Sequence, residues 1–138
     1  MVNLLIGQKG SGKTQKMIDL ANAKVKDCNG NVVFIKKTHR DTASVSFDIR
    51  TICLDDMPAI SNTDAYIGFL YGMSSANHDI ECVFIDALLK HADLTMEALP
   101  AFLAKLNKIT ADCNIDFYVS VSADKADVEG IADINIIE

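Results

Sequence analysis

GQKGSGKT, Gly7 to Thr14, separates two stretches with different hydrophobic periods. Before it, Val2, Leu4, Leu5 and Ile6 form a short apolar run that reads as a buried strand. After it, Met17, Ala21, Val25 and Cys28 recur at helical spacing from Lys13 onward. The octapeptide fits G-x-x-x-x-G-K-[ST] and sits where that pattern works, between a strand end and a helix start. Glycines at 7, 10 and 12 let backbone N–H groups turn inward around phosphate oxygens, and the helix N-terminus adds its dipole. Gly7, Gln8, Lys9, Gly10, Ser11, Gly12, Lys13 and Thr14 are therefore the predicted nucleotide-binding residues. Lys13 is placed to reach the outer phosphates and the Thr14 hydroxyl to ligate Mg2+.

Working outward, Asn29 and Gly30 are expected to close the first helix with left-handed residues. Asn31–Ile35 reads as a second buried strand, and residues 44–54 as one or two short strands, because Val45, Phe47 and Ile49 alternate and Ile52–Leu54 is apolar. Asn62 or Thr63 can cap a helix carrying Tyr66, Phe69 and Leu70. Cys82–Asp86 is a further buried strand, and Thr95 a candidate cap for a long helix, with Pro100 marking a later start or a bend. Phe117–Ser122 is another buried strand, and Ile134–Ile137 a short last one. Strands alternating with helices predict an α/β chain with a three-layer fold, a mostly parallel central sheet with helices on both faces. The 138 residues fit one such domain, 1–138, and leave no room for a second of ordinary size.

Composition removes several function classes. A net charge of −6 disfavours non-specific nucleic-acid binding, which needs a basic surface to displace counterions. No apolar run approaches the ~18 residues of a membrane span, and the first strand is too short and too soon interrupted for a signal peptide. Cys28, Cys53, Cys82 and Cys113 never form C-x-x-C, so they read as reduced core residues of a cytoplasmic protein, not as a zinc ribbon.

A phosphate loop needs a carboxylate on a neighbouring strand to hold Mg2+ through water, and VFID ending at Asp86 supplies it. Lys13 and Asp86 are thus the predicted catalytic pair, Thr14 and Asp86 the predicted metal residues. The next residue is Ala87, which can accept no proton where a water-polarising glutamate would sit. Ser122 is a candidate sensor of the terminal phosphate, with Ser120 two residues earlier. KKTHRD, Lys36 to Asp41, follows the second strand, so Lys36, Lys37, His39 and Arg40 face phosphate and Asp41 serves as base, or the segment is a solvated loop. Asp55 and Asp56 carry the same ambiguity. NKIT, Asn107–Thr110, lacks the aspartate of the N-K-x-D guanine motif and falls in a predicted helix; SADK, Ser122–Lys125, is out of register for another guanine motif. ATP is favoured by elimination.

With GQKGSGKT and VFID, the chain resembles the P-loop NTPases of the additional-strand class, in which a strand intervenes between the loop strand and the Walker B strand. It is most similar to a group of small bacterial ATP-binding proteins and, more distantly, to thymidine kinase, whose K-P-x-x-D-x-R-like segment KKTHRD loosely echoes. The kinase's acid pair is Asp86-Ala87 here, and its zinc ribbon and substrate lasso have no counterpart. In the dimeric ATPases with a deviant loop, a lysine directly follows the first glycine; that place holds Gln8, and Lys9 is one residue late. A complete binding half-site beside a missing catalytic glutamate points to a slow ATPase or nucleotide-dependent switch acting on an unidentified protein partner, which could supply the missing group. A second copy is another source of that group, Arg40 and Arg50 being the only arginines. The alternatives are a small-molecule kinase, with Asp41, Asp55 or Asp56 as base, and a non-catalytic assembly subunit.

Overall fold

The computed structural model describes residues 1–40 and 44–137. In chain order they form β1 (Val2–Gly7), α1 (Lys13–Asp27), β2 (Asn31–Lys36), β3 (Arg50–Cys53), α2 (Thr63–Ala76), β4 (Ile80–Ile85), α3 (Leu99–Cys113), β5 (Asp116–Ser122), α4 (Lys125–Val128) and β6 (Ile134–Ile137). The six strands make one parallel sheet in the order β3-β2-β4-β5-β1-β6. β5 therefore separates β1 from β4.

The two-residue side-chain period of the strands sorts the core into two layers. Val33, Ile35, Val83, Ile85 and Val119 pack with Tyr66 and Leu70 of α2 and Phe102, Leu103 and Leu106 of α3. Val32, Phe34, Cys82 and Phe84 pack with Met17, Ile18 and Ala21 of α1. Helices thus cover both faces, which is why the strands read as near-continuous apolar runs. Among the described residues, no helix is long and apolar enough to cross a membrane. The four cysteines are free thiols, and burial pushes that of Cys82 up to about 12.

Asn62 is the cap of α2, its side chain accepting from Ala65 N at 2.8 Å. α3 starts at Leu99, later than Thr95, with Pro100 in its first turn, where the missing N–H costs nothing. Thr95 instead closes a preceding turn by accepting from Ala98 N at 3.3 Å.

Of the one or two short strands expected within 44–54, the described chain has one, Arg50–Cys53, and the alternating stretch before it is a turn. Val45 and Ile49 are buried, but from a turn, with Phe47 fully exposed between them. Asn22 on α1 holds that turn, donating to Ser44 O at 3.0 Å and accepting from Ser46 N at 2.9 Å. The alternation of apolar residues there marks which side chains point inward, not an extended backbone. Nor do Asn29 and Gly30 close α1 with left-handed residues: the cap is Cys28, extended at φ −79°, and neither residue has positive φ. Gly30 is needed for space, since a Cβ there would meet the Asp79 carbonyl oxygen at 2.2 Å.

Candidate functional site at the strand tips

Each strand that ends beneath α1 delivers its last residue to the same edge. β2 contributes Val32, Phe34 and then Lys36; β4 contributes Cys82 and Phe84, followed by Asp86; β5 contributes Tyr118, Ser120 and Ser122. The apolar members of each series pack on α1, and the polar members lie past the end of that packing. The backbone N–H of Asp86 donates to Ile35 O at 3.0 Å, carrying the β2–β4 pairing one step past the end of β4.

The β1–α1 loop closes over this edge. Gly10 and Gly12 take φ of 82° and 86°, left-handed values that L side chains resist, and Gly12 is the residue from which α1 starts. The Lys13 ammonium folds back on the loop, donating to Gly7 O at 3.2 Å and Gln8 O at 2.8 Å. The Gln8 side chain donates to the Asp124 carboxylate, tying the loop to the start of α4.

Thr14, in the first turn of α1, meets the tip of β4: its hydroxyl donates to Asp86 Oδ2 at 2.9 Å. The other carboxylate oxygen, Oδ1, accepts from Ser120 Oγ at 2.8 Å. Ser120 Oγ in turn accepts from Ala87 N at 2.7 Å. Asp86 and Ser120 are both buried, so these bonds fix the carboxylate in a place where an unpaired one would be costly. A hydroxyl and a carboxylate are hard oxygen donors of the kind that suit Mg2+, which takes few protein ligands and keeps several waters.

Lys13, Thr14, Asp86, Ala87 and Ser122 line one cavity of about 540 Å³ together with Lys9 and the glycine turn. Lys90, from the 3-10 turn Leu88–Lys90, closes its far side. Burial holds the Lys13 ammonium below its usual range; Asp86 opposes that shift and Lys90 adds to it. Three ammonium groups, those of Lys9, Lys13 and Lys90, thus share the cavity at the cost of mutual repulsion, which an anion among them would relieve. Among the described residues, Asp86 is the only carboxylate lining this cavity.

Ala87 has φ 54° and ψ 55°, a left-handed residue that turns the chain sharply after Asp86 and sends Lys90 back toward the loop. The other sequence candidates fall elsewhere. Asp55 pairs with Lys37, and the Asp56 carboxylate accepts from His39 Nε2 at 2.9 Å; neither aspartate lines the cavity of Asp86. Asp41 lies outside the described residues. Ser122 is exposed at the cavity wall, whereas Ser120 makes the contacts with Asp86. Lys90 was missed because nothing in the sequence signals the turn that brings it back. No protein-family model matches the chain, and a search of curated proteins finds no match.

Proposed function

We propose that the chain binds a magnesium–nucleoside triphosphate, ATP by preference, with the loop Gly7–Thr14 and Asp86. On this reading it hydrolyses the nucleotide slowly, so that the bound state acts as a switch read by a partner protein. The observation that carries it is the 2.9 Å approach of the Thr14 hydroxyl to the Asp86 carboxylate beside the Lys13 ammonium, in one cavity under a glycine turn. When bound, Mg2+ would supply charge neutralisation for the phosphates. Thr14 and Asp86 would hold it, Ser120 would orient Asp86, and Lys13 would leave its two carbonyl partners for the outer phosphates. Positioning and electrostatics carry most of phosphoryl-transfer catalysis, so these parts support binding without fast attack by water. The slow turnover follows from Ala87 and from Asp86 being the only carboxylate lining the cavity among the described residues. Turnover by the purified chain on the order of ten per second or faster, an ordinary enzyme rate, would refute the switch reading. Ala87→Glu is expected to raise the rate if water activation is what is missing.

A second reading, phosphoryl transfer to a small acceptor, is favoured by one observation. On the β2 side of Asp86 a smaller cleft of about 220 Å³ adjoins the cavity, sharing Thr14, Asp86, Ala87 and Lys90 with it.

A further inference from the structure

The cleft on the β2 side of Asp86 carries a charge pattern that nucleotide binding does not explain. Lys36, Lys37, Arg40 and Lys90 line it over a floor of Ile18 and Phe34. With Lys9 and Lys13 across Asp86, six of the thirteen lysines and arginines of a chain of net charge −6 surround two adjoining cavities. Such local excess in an acidic protein concentrates anions. Lys9, Lys13 and Lys90 line the larger cavity, where on the nucleotide reading they would face its phosphates. Lys36, Lys37 and Arg40 line only the smaller cleft of these two, so they face a different anion. Lys37 also pairs with Asp55, which offsets part of its charge; Asp86 is the one acid lining the cleft among the described residues.

We propose that this cleft is an anion subsite that takes the phosphate of a phosphomonoester acceptor, so that the nucleotide's terminal phosphoryl group is transferred to an oxygen that is already ionised. The inference rests on the nucleotide reading above and names the substrate class for its second form. At about 220 Å³ the cleft is smaller than the ~300–1,000 Å³ pockets that enclose whole small molecules, so it takes the charged end of a ligand. The chemistry also accounts for Ala87. A hydroxyl acceptor or a water must lose a proton and needs a base, whereas a phosphomonoester, with a second pKa near 6, is mostly dianionic at pH 7. In the transfer, an acceptor phosphate oxygen donates its electron pair to the terminal phosphorus. The bond from that phosphorus to the bridging oxygen breaks, the nucleoside diphosphate leaves with the electron pair, and the acceptor becomes a diphosphate. No proton is removed from the nucleophile. A site with no further carboxylate beside Asp86 among the described lining residues is suited to this reaction and lacks what hydrolysis needs.

The test uses the full chain saturated with magnesium and the non-hydrolysable analogue AMPPNP. Adenosine, uridine and thymidine 5′-monophosphates and glucose 6-phosphate are titrated by calorimetry against their unphosphorylated parents. The expected result is a second binding event for at least one monophosphate and none for its parent. In the Lys37→Ala/Arg40→Ala double variant that event should weaken by about tenfold or more, the scale of one lost charge-assisted contact, with AMPPNP affinity unchanged. With labelled ATP, the same monophosphate should yield the labelled diphosphate. If AMPPNP binds and no monophosphate does, or the double variant binds the monophosphate as well as the parent chain does, the subsite is refuted and the nucleotide reading stands. If AMPPNP itself fails to bind with magnesium, both fall together.

Discussion

Ser120→Ala removes one oxygen from the point on which the site geometry depends. In the folded chain that oxygen donates to Asp86 Oδ1 at 2.8 Å and accepts from Ala87 N at 2.7 Å. A hydrogen bond to a charged group contributes roughly 1.5–3 kcal/mol and a neutral one roughly 1 kcal/mol. Asp86 keeps its Thr14 contact, and Ala87 borders a cavity that admits water, so part of the loss is recovered. The net destabilisation should be roughly 2–3 kcal/mol, a large share of the ~5–15 kcal/mol that holds a domain folded. Urea unfolding followed by circular dichroism measures it. Magnesium-dependent nucleotide affinity should fall by about 10–100-fold, because an unheld carboxylate no longer presents its free oxygens in one orientation. Ser122→Ala, on an exposed residue two positions along, should stay within about 0.5 kcal/mol and leave affinity intact. If Ser120→Ala costs less than about 0.5 kcal/mol and binds nucleotide normally, Ser120 does not orient Asp86.

Two further perturbations probe neighbouring features. Ala87→Gly relieves a left-handed alanine (φ 54°) and should range from neutral to about 1 kcal/mol stabilising, whereas Ala87→Val should cost more than about 1 kcal/mol by thermal or urea unfolding. His91 is fully buried against Tyr66, whose hydroxyl lies 3.0 Å from its Nδ1, and desolvation pulls its pKa from 6.5 down to about 4. The unfolded chain therefore takes up a proton below about 6.5 that the folded chain refuses until about 4. The stabilisation is complete above pH 6.5 and falls by up to about 3 kcal/mol on acidification to pH 4. Tyr66→Phe/His91→Phe removes the titrating group and its partner hydroxyl together. The slope of urea midpoint against pH should flatten across that window, and an unchanged slope would assign the acid sensitivity to other groups.

The local parts of this molecule were legible in its sequence. The β1–loop–α1 unit announces itself because the hydrophobic period changes across a glycine-rich loop, and the folded chain has a strand end, two left-handed glycines and a helix start there. Asp86 was legible for the same local reason, as the polar end of an apolar strand. Ser120 was harder to weigh. Its importance comes from β5 lying beside β4 in a register that pairs Ile85 with Val119, which puts Ser120 level with Asp86. That register is a long-range property, and a serine inside FYVSVS carries no sign of it. Lys90 depends on the left-handed turn at Ala87, a conformation alanine seldom adopts and composition does not forecast. Val45 and Ile49 mislead in the opposite direction, because a turn held by Asn22 can bury alternate residues as a strand does.

The central claim is that residues 7–14 and Asp86 hold a magnesium–nucleotide, and titration calorimetry of ATP with and without magnesium tests it most directly. The account predicts saturable one-to-one binding that strengthens with magnesium and is lost in Lys13→Ala while that variant remains folded by circular dichroism. No heat and no thermal shift with ATP and magnesium would contradict it, as would a Lys13→Ala chain that binds as the parent does.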